Sequence, residues 1–336
     1  MITAAESAAM GRALSLAWKG WGRVHPNPLV GAVVLSEGRE VGAGWHTEFG
    51  GMHAEAIALQ AAGSATRGAT LVVTLEPCRH HGKQPPCTDA ILSAGVSRVV
   101  VGQADPHALA GGGSAILEAH GIEVTTLGSP EARYQNAPFF HAVVDQTRPF
   151  VALKLATSID GRLADAEGHS RWVSGSEARE FVHWLRAGYQ AIGVGGETAR
   201  LDNPSLTVRG PLVPRVQPRR VVFSRSGRLD EAEQLLRGGA NAPVTVLQAG
   251  GEGLQVLRQQ GVMSILIEGG GVLASELLSA GLVDRFYWIQ APLWLGTAGR
   301  PAFPGLSGSP LAEVARWQVV ERKALGQDTL LVLDRP

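Results

Sequence analysis

Thr74-Leu75-Glu76-Pro77-Cys78-Arg79-His80-His81-Gly82-Lys83-Gln84-Pro85-Pro86-Cys87 is the stretch on which the reading of this chain turns. Ala69 to Leu75 is an apolar run of strand type, and it ends where Pro77 removes a backbone donor. Cys87 follows Cys78 after eight intervening residues, and Pro85-Pro86 sets it at the start of a helix, Thr88 to Ala94, that stops at Gly95. A helix N-terminus lowers a thiol pKa and so favours the thiolate that zinc requires. These two are the only cysteines in the chain. Without a signal peptide, metal ligation or catalysis is expected of them before a disulfide.

Upstream stands Gly51-Met52-His53-Ala54-Glu55, with helical spacing from His53 to Ala62 and a stop at Gly63. Two residues turn a helix by about 200°, so His53 and Glu55 do not ligate one ion side by side. From a first helical turn, both still reach one cavity. His53, Cys78 and Cys87 as ligands leave one tetrahedral position for water, the layout of a catalytic zinc site. Zinc lowers the pKa of such a water towards neutrality, and Glu55 then serves as proton shuttle, a role typically worth roughly 10²–10⁴ in rate. Singly, the four residues also fit a surface pair and packed thiols; their order, their separation and both prolines together favour the metal site. A fourth ligand from His80 or His81 would close the site and leave Glu55 no water to activate.

Around this constellation the first half alternates strand and helix. Gly31 to Leu35, the turn Ser36-Glu37-Gly38 and Val41 to Trp45 form a hairpin, Arg98 to Val101 a further strand, and Ile116 to His120 with Ile122 to Thr126 a helix–strand pair. A layered α/β domain is expected. A break at Gln146-Thr147-Arg148-Pro149 divides domains 1–147 and 148–336. In the second, Phe150 to Leu155, Val221 to Ser224, Val244 to Leu247, Ser264 to Ile267 and Asp284 to Ala291 are strand candidates, and Pro211 to Arg220 a loop. Ile265-Leu266-Ile267 runs into Glu268-Gly269-Gly270-Gly271 and a helix, Val272 to Ala280; such a turn gathers free N–H groups suited to phosphate. Ile192-Gly193-Val194-Gly195-Gly196 reads as a second glycine turn. Neither carries the full spaced dinucleotide fingerprint.

At 336 residues two domains are natural. Thirty basic residues balance thirty acidic ones, which speaks against a nonspecific nucleic-acid binder. No uncharged apolar stretch approaches membrane-spanning length. Met1 to Trp18 lacks a basic start with a continuous apolar run, so a mature amphipathic helix, no signal peptide and a cytoplasmic location are expected.

The order His-x-Glu, Pro-Cys, Cys resembles the signature of zinc base deaminases, except that their usual gap of about two residues between cysteines is eight here. The long loop Cys78 to Cys87 closely resembles that of the bifunctional deaminase–reductase family of riboflavin biosynthesis. So do His25-Pro26-Asn27-Pro28-Leu29-Val30-Gly31 and Asp105-Pro106. Departures occur at Gln84, where that family often has threonine, and at Asp105-Pro106-His107-Ala108, where a second proline is common. Lys154-Leu155-Ala156-Thr157-Ser158-Ile159-Asp160-Gly161-Arg162, Ser170-Arg171-Trp172 and Asp202-Asn203-Pro204-Ser205-Leu206-Thr207-Val208-Arg209 are similar to blocks of its reductase domain, so the resemblance spans essentially the whole chain.

The resemblance implies an α/β chain: a cytidine-deaminase-like three-layer α/β/α domain, then a dihydrofolate-reductase-like α/β domain. It implies zinc deamination of 2,5-diamino-6-(5-phosphoribosylamino)pyrimidin-4-one, then reduction by NADPH to 5-amino-6-(5-phosphoribitylamino)uracil. By motif position, His53, Cys78 and Cys87 hold one zinc, Glu55 moves the proton, and Asn27 and Lys83 meet the substrate, Lys83 being equally readable as a solvated loop lysine. Ala156, Trp172, Thr198, Asp202 and Ser224 line the NADPH site, with Gly270 and Gly271 at its phosphates. Ser170, Arg186, Leu206, Arg209 and Glu268 face the second substrate, arginine forks suiting its phosphate. Trp172 also fits a core role, Arg186 and Arg209 solvated roles, and Asp202 a turn cap. A homo-oligomer, dimer or tetramer, without membrane or nucleic-acid partners, is expected. The rivals are a deaminase of free or transfer-RNA bases with an unrelated second module, and a zinc-stabilised binding protein.

Overall fold

Thr3 starts the first helix, α1 (Ala4–Ala17), because its hydroxyl accepts the Glu6 N–H while the Glu6 carboxylate accepts the Thr3 N–H, a reciprocal cap. The computed structural model describes residues 1–227, 229, 233–236, 243–308 and 310–336. They form two units, Met1–Val144 and Asp145–Pro336.

In the first unit the elements run α1, β1 (Gly31–Ser36), β2 (Arg39–Trp45), α2 (Ala54–Ala62), β3 (Thr70–Leu75), α3 (Cys87–Ala94), β4 (Arg98–Gln103), α4 (Gly113–Ala119), β5 (Glu123–Thr126), α5 (Pro130–Gln135) and α6 (Ala137–Val144). The sheet order is β2-β1-β3-β4-β5, with β1 antiparallel to both neighbours and β3, β4 and β5 parallel. Period-two alternation separates the two faces. Ala32 and Val34 pack with Ala58 of α2, Ile91 of α3 and Leu117 of α4. Val33 and Leu35 pack with Ala9, Ala13 and Leu16 of α1. The result is the expected three-layer α/β/α domain. The β1–β2 turn holds both Glu37 and Gly38 at positive φ, 50° and 74°, which matches the twist of the strands it joins.

The second unit runs β6 (Phe150–Ser158), β7 (Arg162–Ala164), α7 (Ser176–Ala187), β8 (Ala191–Gly195), α8 (Gly196–Asp202), β9 (Arg219–Phe223), α9 (Glu233–Leu236), β10 (Val244–Leu247), α10 (Gly251–Gln259), β11 (Ser264–Glu268), α11 (Gly271–Ser279), β12 (Arg285–Ala291), β13 (Arg300–Pro301), β14 (Gln318–Leu325) and β15 (Asp328–Asp334). Its sheet order is β10-β9-β8-β11-β6-β12-β15-β14, parallel from β10 to β12 and closed by the antiparallel β15 and β14. The pair β7–β13 is separate. Its first strand is fastened at the root: the Arg148 guanidinium donates to both Asp284 oxygens at 2.6 and 2.7 Å, and Asp284 also accepts the Val151 N–H at 2.8 Å. Leu153, Leu155, Ile265 and Ile267 then form a core with Leu254, Leu257, Leu273 and Leu277 from α10 and α11.

Two sequence expectations are corrected. Ile192-Gly193-Val194-Gly195 is the strand β8, and only Gly196 turns the chain into α8. Gly193 belongs in that strand because a Cβ there would stand 2.9 Å from both Ile267 and Phe223 side-chain atoms. The loop expected over 211–220 gives way to β9 at Arg219, the residue at which pairing with β8 begins. The hairpin β14–β15 was not anticipated, since β14 is a largely exposed, charge-bearing edge strand without an apolar run. Among the described residues no helix is long and apolar enough to cross a membrane.

Leu153 is fully buried at the centre of the second sheet. Leu153→Ala is expected to lower unfolding stability by about 2–5 kcal/mol in urea titration.

Candidate active sites

Three ligand-type atoms converge at the ends of β3, α2 and α3. His53 is the residue before α2, in extended conformation, and not its first turn. That removes the angular conflict with Glu55, because only Glu55 follows helical geometry. His53 Nδ1 lies 3.1 Å from Cys87 Sγ and 3.5 Å from Cys78 Sγ. Tetrahedral zinc ligands at ordinary bond lengths stand about 3.5 Å apart, so this donor set fits zinc. Cys87 is the first residue of α3, and its N–H points at Cys78 Sγ, 3.4 Å away. Hydrogen bonding from Cys87 holds Cys78 down at about 4, while the adjacent Cys78 sulfur and burial push Cys87 up.

Glu55 is buried and touches Cys87, and burial raises its carboxyl above the usual range despite the nearby His53. Asn27, His53, Glu55, Cys78 and Lys83 line one cavity of about 280 Å³, with Cys87 buried behind. Lys83 stands at 3.9 Å over the Phe49 ring, a cation–π contact at this cavity. The unusual Gln84 is put to use, donating to the Gly50 carbonyl at 3.0 Å and tying the cysteine loop to the segment before His53. His107, at the other departure, donates its backbone N–H to Asp105 at 2.8 Å.

Sequence reasoning missed two supports. His46 is buried at the end of β2, where its Nδ1 meets the Met52 carbonyl at 3.0 Å and its Nε2 meets the Asn27 amide at 3.1 Å. The carbonyl accepts from Nδ1–H, so Nε2 accepts from Asn27 and orients it. Glu76 accepts the N–H groups of Asp105 and Ser114 at 3.1 and 2.9 Å, joining the ends of β3, β4 and α4 behind Cys78. Glu76 lies within the Thr74–Cys87 stretch and His46 outside any motif, and the supporting role of each is revealed only by the meeting of distant loops.

In the second unit a cleft of about 800 Å³ opens at the carboxyl ends of β6 and β11, the usual ligand side of a parallel sheet. Ala156, Ser170, Trp172, Arg186, Thr198, Asp202, Arg209, Gly270 and Gly271 all line it. Gly270 has φ +81°, and a Cβ there would stand 2.9 Å from Thr198 Oγ1, so the turn before α11 leaves a bare backbone cradle beside that hydroxyl. Lys154, Arg171, Arg179 and Arg300 join the lining, against Glu197 and Asp202. The chemistry suits phosphorylated ligands. Trp172 is 71% exposed, with the Arg179 guanidinium 4.5 Å from its ring centre, which rules out a core role.

Three expected residues do not line the cleft. Leu206 is buried in the core. Ser224 lies beside Gly196 and accepts the Gly227 N–H at 3.2 Å. Glu268 is buried beneath the cleft, receiving Arg186 Nε and Nη2 at 2.5 and 2.9 Å, with Lys154 Nζ at 3.6 Å. The Arg186 fork is therefore already engaged, leaving Arg209 as the exposed arginine of the predicted pair. A further cluster, Asp165, Glu167 and His169, occupies a partly exposed turn and is bonded largely to itself.

Two family descriptions match the chain: the cytidine and deoxycytidylate deaminase zinc-binding region over residues 3–103, and the RibD C-terminal domain over 149–331. The riboflavin biosynthesis protein RibD of Corynebacterium ammoniagenes is 44% identical over 294 residues, covering 86% of each chain. That of Escherichia coli K12 is 37% identical, covering 96% of this chain and 98% of its own. The chain belongs to the RibD family. A RibD structure from Acinetobacter baumannii superposes with a TM-score of 0.86 at 35% identity over 99% of both chains. A Thermotoga maritima structure described as diaminohydroxyphosphoribosylaminopyrimidine deaminase/5-amino-6-(5-phosphoribosylamino)uracil reductase gives 0.85 at 36% identity, again over 99% of both. This RibD-family chain is a bifunctional enzyme of riboflavin biosynthesis acting on small pyrimidine substrates, with a zinc deaminase domain and an NADPH-dependent reductase domain.

Two predictions follow from this geometry. A Cβ at Gly113 would stand 1.9 Å from the Pro77 carbonyl oxygen. Gly113→Ala is therefore expected to displace Cys78 and lower both zinc content and deaminase turnover, while NADPH-dependent reduction persists. Burial opposes ionisation of Glu268, but Arg186 and Lys154 outweigh it and hold the carboxyl at about 2, against an ordinary 4.5. Its stabilising contribution is complete above about 4.5 and disappears as pH falls towards 2. Urea titrations across that window should show a shallower acid loss in Glu268→Gln than in the parent.

Proposed function

We propose that domain 1–147 deaminates 2,5-diamino-6-(5-phosphoribosylamino)pyrimidin-4-one and that domain 148–336 reduces the product with NADPH to 5-amino-6-(5-phosphoribitylamino)uracil. The observation that carries the first half is the spacing of His53 Nδ1 and the two sulfurs with buried Glu55 against them. His53, Cys78 and Cys87 would hold zinc, which when bound makes a water nucleophilic near neutral pH. Glu55 moves the two protons of the water, one to the ring nitrogen, which keeps it, and one to the departing amine, while the oxygen stays on the ring carbon as a carbonyl, so water is consumed and ammonia released. Asn27, held by His46, orients the pyrimidine, and Lys83 receives the phosphate at the cavity.

In the second domain, NADPH supplies the hydride when bound. The Gly270–Gly271 turn and the N-terminus of α11 receive its phosphates, and Ala156, Trp172, Thr198 and Asp202 line its site. Ser170 and Arg209 meet the substrate, with Arg209 at the phosphate. Arg186, fixed by Glu268, forms the adjoining wall. A cytoplasmic homo-oligomer without nucleic-acid or membrane partners completes this reading, which the balanced charge supports.

The test is turnover of each half. Ammonia release from the diaminopyrimidinone phosphate and NADPH oxidation on addition of the deaminated intermediate are expected. Release from cytidine or an adenosine stem-loop instead would select a different deaminase. Glu55→Gln should lower deamination roughly 10²–10⁴-fold with zinc retained by elemental analysis. Unchanged deamination would remove Glu55 from its role.

A further inference from the structure

Arg209 reaches the cleft from a segment outside any strand or helix. Its guanidinium serves a ligand only as well as the backbone beneath it is held. Three contacts hold that backbone. Leu206, at φ +49°, buries its side chain in the core and plugs the segment in place. The Thr207 carbonyl accepts Arg186 Nη1 at 3.0 Å. The Arg209 N–H donates to His183 Nδ1 at 3.2 Å. His183 and Arg186 stand three residues apart on α7, hence on one face, and together grip the segment at alternate residues. Accepting at Nδ1 requires a neutral ring with its proton on Nε2. Burial, together with the Arg186 and Arg209 charges, keeps the imidazole below its ordinary range, which favours that form near neutral pH.

We propose that His183 is a positioning residue of the reductase: by accepting the Arg209 main-chain N–H, it sets the Arg209 guanidinium where the phosphate of the deaminated intermediate docks. This rests on the reading of Arg209 as the phosphate contact. His183 does not line the cleft. Its effect therefore reaches substrate only through Arg209, and it belongs to binding of the phosphorylated substrate.

The experiment is steady-state reduction by the full-length, zinc-loaded protein, with the deaminated intermediate in its phosphorylated and dephosphorylated forms. His183→Phe removes the acceptor. It is expected to raise KM for the phosphorylated intermediate by about tenfold, with kcat and the KM for NADPH within about twofold. His183→Asn, whose side-chain oxygen stands near the place of Nδ1, is expected to restore most of that loss. With the dephosphorylated intermediate, His183→Phe should match the parent. Deaminase turnover of the same preparation reports intact folding, and His183→Ala takes the place of the Phe variant should that one not fold. Unchanged KM in the variant lacking the acceptor, equal behaviour of the Phe and Asn variants, or a fall in kcat at constant KM would each overturn the proposal. Arg209→Ala separates the two readings. If it raises KM and His183→Phe does not, positioning by His183 is wrong and the phosphate contact stands; if neither raises KM, both are wrong.

Discussion

One imidazole nitrogen and two sulfurs, all within 4.8 Å of one another, are the constraint around which the first domain is arranged. Such a grouping suits a cation, because it sets three electron-pair donors of the types zinc prefers side by side in a buried place. The fold supplies what the cation needs. Parallel β3 and β4 end on one side of the sheet, α3 begins there with its amides facing Cys78, and His53 arrives just ahead of α2. Glu76 and Asn136 then hold the surrounding loops. Asn136 does so through a reciprocal pair with the Leu29 N–H and carbonyl, both at 2.8 Å, which secures the segment carrying Asn27.

The second domain solves a different problem, the recognition of phosphorylated ligands over a parallel sheet. Lys154, Arg171, Arg179, Arg186, Arg209 and Arg300 line its cleft against the carboxylates Glu197 and Asp202, and the buried Glu268 keeps two of these cations in place. A carboxylate between Arg186 and Lys154 offsets their mutual repulsion, and it takes up the arginine fork that a phosphate would otherwise use. The division of labour between Arg186 and Arg209 follows from that pairing. Arg186 holds the wall and the Thr207 carbonyl, whereas Arg209 remains at the surface.

Legibility in the sequence differs between the halves. In the first, the apolar run of β1, the stops at Gly63 and Gly95, and the prolines before Cys87 are local signals, and β1, α2 and α3 fall within a residue of them. In the second, Gly193 misled because glycine usually marks a turn; its reason for being in β8 is the approach of Ile267 and Phe223 from elsewhere in the chain. Leu206, Ser224 and Glu268 lie in or beside recognisable blocks, yet their side chains turn away from the cleft, and no spacing rule reveals on which side of a turn a residue points.

The sequence by itself determined the chemistry of the zinc site, because His53, Glu55, Cys78 and Cys87 combine uncommon residue types with helix and strand ends that local rules locate. It also determined the layered α/β character of both domains, through short apolar runs alternating with segments of helical spacing, patterns that belong to single elements. Only the tertiary structure decided which groups support that chemistry: His46 on Asn27, Glu76 between two loops, Glu268 under Arg186, and His183 on the Arg209 backbone. Each of these is a hydrogen bond or ion pair between residues at least 19 positions apart. Such contacts are created when the chain closes on itself, and no local pattern encodes them.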